Sequence, residues 1–190
     1  MKTRESGMPA EELWATFFTP AEVLAKLGLT RDCRAAVDFG CGYGTFAIPA
    51  AQIVTGTVFT FDIDSAMVTA TEAKARAAGL SNVRAEQQDF IANGTGLPDT
   101  SVDYVMLFNI LHAEEPLVLL QEAHRILVPG GTLGIIHWNY DPTTPRGPSM
   151  SIRPRPEQCR EWAEAAGFQA AQERPIDLPP YHYGLRMTRA

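Results

Sequence analysis

The stretch AAVDFGCGYGTFAIPAA, residues 35–51, decides the fold of this chain. A short apolar run, Ala35 to Phe39, carries one acid, Asp38, and gives way to three glycines in five positions, Gly40, Gly42 and Gly44. An Ala-rich segment follows to about Val54. That order reads as strand, tight turn and helix. Glycine tolerates the backbone of a sharp turn and lets a ligand approach closely, and a helix start offers unpaired N–H donors. Pro49 falls inside the helix and removes one backbone bond, so a slight bend is expected there.

Outward from this unit the same alternation repeats. GTVFTFDID (56–64) reads as a strand and SAMVTATEAKARAAGL (65–80) as a helix stopped by Gly79. NVRAEQQD (82–89) is a more polar strand, and SVDYVMLFNIL (101–111) a strand apolar on both faces. EEPLVLLQEAHRIL (114–127) is a helix, VPGG (128–131) a sharp turn and TLGIIHW (132–138) a fifth strand. Strand–helix repetition with short links implies a parallel sheet, wound right-handedly and covered on both faces.

Upstream, residues 1–12 read as frayed, and ELWATFFTPAEVLAKLGL (12–29) spaces bulky residues as a helix would. Pro20 splits it into two short helices and Gly28 closes the second. Downstream, NYDPTTPRGPSMSIRPRP (139–156) is a Pro-rich loop, long enough to suggest function. The helix EQCREWAEAAGF (157–168) follows. FQAAQERPIDL (168–178) and YHYGLRMTR (181–189), joined by Pro179-Pro180, then form two strands that must pair antiparallel.

Charged residues are 20% and hydrophobic ones 45%, the composition of a soluble globular chain, and 190 residues suit one domain. Cys33, Cys41 and Cys159 are an odd number without CxxC spacing. Neither a disulfide framework nor a metal site is expected, and a cytoplasmic location fits. The polar start lacks an apolar signal region, and no apolar stretch is long enough to span a membrane, so no membrane partner is expected. A net charge of −6 argues against general nucleic-acid binding. The charge is uneven: residues 146–190 hold seven arginines against five acids, net +2, which leaves −8 for the rest.

In an open parallel sheet, ligands bind beyond the carboxyl ends of the strands. Those ends are the glycine turn, Asp62, Asp89 and Asn109. A carboxylate at Asp38 would repel a pyrophosphate, and the dinucleotide fingerprint wants a glycine where this chain has Thr45. A ligand with a carboxylate and an ammonium on one carbon meets both demands, because backbone N–H groups take the first and acids balance the second. Asp62, 20 residues past Gly42, stands where an acid binds ribose hydroxyls. Asp89 is placed to accept from an adenine amino group, with Phe90 stacking or offering its backbone N–H. Amino acid, ribose and adenine together describe S-adenosylmethionine.

The motifs VDFGCGYG, FDIDSAM, QQDF, SVDYVMLFNILH and EAHRILVPGGTLGI stand in a fixed order. Over residues 35–138 the chain thereby resembles the class I S-adenosylmethionine-dependent methyltransferases. The resemblance implies a single-domain α/β fold, a three-layer α/β/α sandwich. Its seven-stranded, mostly parallel sheet would run 3-2-1-4-5-7-6 with strand 7 antiparallel, over residues 35–190. A helical lid segment would precede it over residues 1–34. The implied cofactor is S-adenosyl-L-methionine. Asp38, Gly40, Gly42 and Gly44 would surround its methionine end, with Asp38 often acting through water. Asp62 would bind the ribose, Ile63 pack on the adenine, and Asp89 and Phe90 recognise its edge, while the Phe108-Asn109 backbone faces the methionine amine.

The match is closer to small-molecule and quinone-type enzymes than to base-modifying ones, and FNILH replaces the Asn/Asp-Pro-Pro-aromatic stretch of many amino-nitrogen methylators. The expected activity is in-line methyl transfer to a small-molecule acceptor by a monomer or homodimer. One alternative is a cofactor-binding regulatory module without turnover. The other is an NAD(P)-dependent oxidoreductase, against which Asp38, Thr45 and the closing strand pair argue.

For the acceptor side, histidines are the natural bases near neutral pH. His112, past the fourth strand, is the first candidate and His137 the second, although for each the ordinary reading is a hydrogen-bonded, partly buried side chain. Trp14, Phe17 and Phe18 are core or a lid over the methyl group. Tyr140, Tyr181, His182 and Tyr183 line a pocket or pack a strand against its turn. Asp64 reads as a helix cap, Asp103 as structural, Cys41 as a packing residue and His124 as exposed. The arginines at 146, 153, 155 and 160 belong to a solvated loop or meet an anionic substrate.

Overall fold

A computed structural model of the chain describes residues 9–190; of the frayed start expected over residues 1–12, residues 1–8 lie outside them, while Glu11 and Glu12 already belong to a helix. In chain order the elements are α1 (Glu11–Ala15), α2 (Pro20–Lys26), β1 (Ala35–Phe39), α3 (Ala47–Ile53) and β2 (Thr57–Asp62). Then come α4 (Ser65–Ala77), β3 (Val83–Gln87), α5 (Phe90–Asn93), β4 (Val102–Phe108) and α6 (Pro116–Ile126). The chain closes with β5 (Leu127–Trp138), α7 (Pro156–Ala165), β6 (Phe168–Ala170), β7 (Ile176–Leu178) and β8 (His182–Arg189).

The sheet runs β3-β2-β1-β4-β5-β8-β6, with β7 also on β8. The pairs from β3 through β5 are parallel, and β8 lies antiparallel to β5. This is the expected order, with β8 in the place of strand seven. Two details differ. The strand expected over 168–178 is two three-residue strands on one edge of β8. The intervening segment contains Pro175, which has no N–H for the ladder. The turn expected at 128–131 is absorbed into β5 as an irregularity, the register shifting between Val102↔Leu127 and Tyr104↔Thr132.

Period-two alternation gives each sheet face its own core. Val37, Phe39, Val105, Leu107, Leu133 and Ile135 face Leu119, Leu120 and Ala123 of α6 and Cys159 and Ala163 of α7. Ala36, Tyr104, Met106, Phe108 and Ile136 face Leu24 and Leu27 around α2 and Ala47 and Ala50 of α3. The Tyr104 hydroxyl donates to the Leu27 carbonyl at 3.2 Å, fastening the end of α2 to the sheet. Asp103 accepts from the Arg34 and Ala35 N–H groups at 2.8 and 3.1 Å, the structural role expected of it. Asp64 caps α4 through the Ala66 N–H at 2.8 Å. Among the described residues no helix is long and apolar enough to cross a membrane.

Candidate cofactor and acceptor site

The carboxyl ends of β1, β2, β4 and β5 open into one cleft of about 480 Å³. Its floor is the glycine turn. Gly40, Gly42 and Gly44 all take positive φ (79°, 51° and 74°), the conformation that β1 needs to reverse into α3. The Gly40 and Cys41 N–H groups donate to the Phe61 carbonyl at 2.8 and 3.0 Å, and that of Gly44 to the Cys41 carbonyl at 2.9 Å. The Gly42 N–H donates to Asp62 at 2.9 Å. These four donors are therefore spent within the protein. They are not available to a ligand carboxylate, so the turn meets the cleft through Gly40 and Cys41 rather than through a row of free N–H groups.

Asp62 is buried at the end of β2, its second oxygen accepting the Asp64 N–H at 3.0 Å. Burial raises its pKa and these N–H bonds oppose the rise. Asp38, 3% exposed, has no such relief: burial first, then the Asp62 charge, pushes its carboxyl up to about 7. Two buried acids thus face one cleft. An ammonium or a diol brought in by a ligand would relieve both. The far end is formed by Ile63, Gln88, Asp89, Phe90 and Ile91. Asp89 also caps α5, accepting from the Ala92 N–H at 3.1 Å.

At the end of β4, Asn109 adopts φ 56°, unusual for a residue other than glycine. Its N–H bonds the Ile136 carbonyl at 2.8 Å, while both polar side-chain atoms are buried without a hydrogen-bond partner in a residue that lines the cleft. The opposite wall is aromatic. Trp14 meets Trp138 with ring centroids 6.4 Å apart, and Phe46 meets Phe108 at 4.7 Å. Arg146 to Ser149 and Ile152 of the long loop complete the mouth, and His112 stands beside them. Nδ1 of His112 lies 3.3 Å from Nε2 of the fully buried His137.

A profile of the methyltransferase domain matches residues 36–131, half of the chain and the half that supplies most of the lining of this cleft. The chain belongs to the methyltransferase family. It is similar to a demethylmenaquinone methyltransferase from Geobacillus kaustophilus, 32% identical over 117 residues, 58% of this chain and 47% of that protein. The chain thus spans about half the length of that curated relative. It is 28% identical over 187 residues to the aklanonic acid methyltransferase DauC of a Streptomyces species, covering 92% of this chain and 84% of that one. A solved S-adenosylmethionine-dependent methyltransferase from Aquifex aeolicus superposes with a TM-score of 0.81 at 26% identity, over 92% of this chain and 91% of that one.

S-adenosylmethionine is the cofactor of this methyltransferase family, and the residues present fit it. The acid pair and the unpartnered Asn109 carboxamide supply the polar partners that its amino-acid and ribose groups require. Of the residues expected at the cofactor, Asp38, Gly40, Asp62, Ile63, Asp89, Phe90, Phe108 and Asn109 line the cleft. Gly42 and Gly44 are not among its lining. Gly42 is tied to Asp62, and Gly44 packs on α4, where a Cβ would meet the Thr71 hydroxyl at 3.0 Å.

On the acceptor side Trp14 and His112 line the methyltransferase cleft, but Phe18, His137, Tyr140 and Tyr181 do not. Phe18 is wedged between Phe46 and His182, at 5.1 and 4.4 Å. His137 lies behind His112, and Tyr181 stacks on Trp138. Tyr140 points outward under the Arg155 guanidinium, 3.7 Å from its ring centre. His124 is half-buried, edge-on to Phe168 at 5.3 Å, rather than exposed. Sequence reasoning missed Phe46, Gln88 and Trp138, and it marked the 139–156 loop as functional without placing its residues 146–149 and 152 at the cleft. Phe46 had a signal, since it follows the turn directly.

The four arginines of the loop region are not equivalent. Arg153 is 7% exposed, and its guanidinium donates to the carbonyls of Asn139, Asp141, Arg146 and Pro148 and to the Thr144 hydroxyl. The loop is wound around it and is not a solvated tether.

Proposed function

We propose that this protein transfers a methyl group from S-adenosylmethionine to a small-molecule acceptor, leaving S-adenosylhomocysteine. The observation that carries the reading is the buried Asp38–Asp62 pair at the mouth of the glycine turn, in a cleft lined mostly by the family's own half of the chain. When bound, the cofactor supplies an already activated methyl group, so positioning and exclusion of water do most of the work. Asp62 accepts from the ribose hydroxyls in charge-assisted bonds. Asp38 meets the amine, directly or through water. Ile63 packs on the adenine, whose edge meets Asp89 and Phe90. Trp14, Trp138, Phe46 and Phe108 hold an apolar acceptor, and His112 takes the proton of an acceptor hydroxyl.

The segment around α1 acts as the lid. The Tyr43 hydroxyl donates to the Pro9 carbonyl at 3.0 Å. The Lys74 ammonium joins the Glu11 carboxylate to the Tyr43 carbonyl. Both contacts tie this segment to the glycine turn and α4. The three cysteines are free and buried, which fits action in the reducing cytoplasm. The acidic balance fits a protein that does not engage nucleic acid.

Calorimetry with S-adenosylhomocysteine and with NADH tests the cofactor: binding of NADH alone would overturn the reading. Consumption of S-adenosylmethionine is then measured against a panel of phenols, thiols, amines and quinols. Turnover with one of them is expected; binding without turnover across the panel would favour a regulatory module.

A further inference from the structure

The arginines that follow β5 are spent in different ways. Arg153 holds the loop from within, Arg155 covers the Tyr140 ring, and Arg160 donates to the Glu173 carbonyl at 2.6 Å. Arg146 is the one lysine or arginine among the described residues that lines the cleft. Its guanidinium makes no hydrogen bond or ion pair with any described residue.

A cation on a mobile loop would need no explanation, but this backbone is fixed on both sides. The Arg146 carbonyl accepts from the Thr144 hydroxyl at 3.0 Å and from the Arg153 guanidinium at 3.2 Å. Next to it Gly147 takes φ 116°, and a Cβ there would stand 2.7 Å from the Arg153 guanidinium and 2.9 Å from the Trp138 ring. Trp138 ends β5 and itself lines the cleft. The loop thus anchors Arg146 against the cleft wall and leaves its charge unspent. We propose that Arg146 pairs with a carboxylate carried by the methyl acceptor and so selects acceptors that bear one.

The order of the strands places this charge with the acceptor, a step that rests on the methyl-transfer reading. Asp62 ends β2, Asp89 follows β3 and Asp38 stands near the end of β1, whereas the loop bearing Arg146 packs on the end of β5, beyond β4. A cofactor laid over β2, β1 and β4 leaves the β5 side open. There the aromatic wall takes the apolar body of the acceptor and Arg146 its charged end. Glu114 and Glu115, both exposed, line the cleft from the turn after β4 and repel an anion on their side. The carboxylate is thereby confined to the β5 wall. A guanidinium presents parallel N–H donors to the two oxygens of a carboxylate, and a neutral amide of the same shape forfeits that match.

The test titrates the full-length protein, saturated with S-adenosylhomocysteine, with 4-hydroxybenzoate and 1-hydroxy-2-naphthoate and with the carboxamide of each. In at least one pair the carboxylate is expected to bind about threefold to tenfold more tightly, and the preference should shrink as salt is added. Arg146→Gln should abolish the preference and leave S-adenosylhomocysteine affinity unchanged, while Arg146→Lys keeps part of it. Arg155→Gln, the same change of net charge nearby, should keep it all. Equal affinities in both pairs, no binding of either carboxylate at millimolar concentration, or a preference that survives Arg146→Gln would overturn the proposal. So would an equal loss in Arg155→Gln. A fall in S-adenosylhomocysteine affinity in Arg146→Gln would assign the guanidinium to the cofactor's own carboxylate and overturn it too. Failure of the wild type to bind S-adenosylhomocysteine would instead remove the methyl-transfer reading, and the same titrations without it would still read the carboxylate preference.

Discussion

Asp62 and Gly42, twenty residues apart in sequence, are joined by a 2.9 Å bond from the Gly42 N–H to the Asp62 carboxylate. With Asp64 on the other oxygen, each carboxylate oxygen accepts one backbone bond and keeps lone-pair capacity toward the cleft. The acid therefore holds the glycine turn in shape and presents it to the ligand at once.

Asp62→Ala should accordingly do two things. S-adenosylhomocysteine binding, measured by calorimetry, should weaken about tenfold or more. Stability in urea should fall by about 1–3 kcal/mol, because the Gly42 N–H is left buried and unpaired. Wild-type affinity in a folded variant would remove the ribose role.

Asp38 predicts a pH dependence. Its carboxyl is pushed up to about 7 in the folded protein, against about 3.9 in an unfolded chain. Between those values the unfolded state ionises while the folded state keeps its proton. Asp38's contribution to stability is thus full below about pH 4 and is lost as pH rises toward about 7. Asp38→Asn should raise the urea midpoint above about pH 7 and change it least near about pH 4. A bound ammonium favours the ionised form, so binding of S-adenosylhomocysteine near neutrality should release a proton. Calorimetry in buffers of different ionisation heat would detect it.

Gly134 lies under Tyr104, and a Cβ there would stand 2.5 Å from the phenolic oxygen. Gly134→Ala should cost about 1–3 kcal/mol by overpacking. In Tyr104→Phe the oxygen is gone, and the same alanine should cost less. A double-mutant cycle in urea reads the coupling, and strict additivity would refute the steric account.

Arg153→Ala should loosen the 139–152 loop, since several carbonyls lose a charged donor together. Protease cleavage within the loop should accelerate, and stability should drop by about 2 kcal/mol or more. Arg153→Lys should rescue only part, because an ammonium cannot span the same fork of acceptors. Arg155→Ala should leave both readouts near wild type, as Arg155 meets only the exposed Tyr140 ring among the contacts assigned to its side chain.

The order of elements was legible because each carries its own local signal. Pro20 and Gly28 bound α2, Asp64 caps α4, and apolar residues of β4 face both layers. The cofactor side was legible for a related reason: parallel strands end on one rim, so acids at those ends converge wherever the topology holds. Position on a strand end gives convergence but not environment. Gly44 reads like Gly40 in sequence, yet one packs on Thr71 and the other lines the cleft.

The sequence by itself therefore determined the strand–helix order, the glycine turn and the placing of Asp38 and Asp62 at one mouth, since those depend on local propensity and the periodicity of a few residues. Only the tertiary structure decided how much water each acid keeps, that Arg153 is the hub of its loop, and that His112 rests against His137. Burial, close packing and pairing between distant segments have no local signature in a chain, and these three properties are made of nothing else.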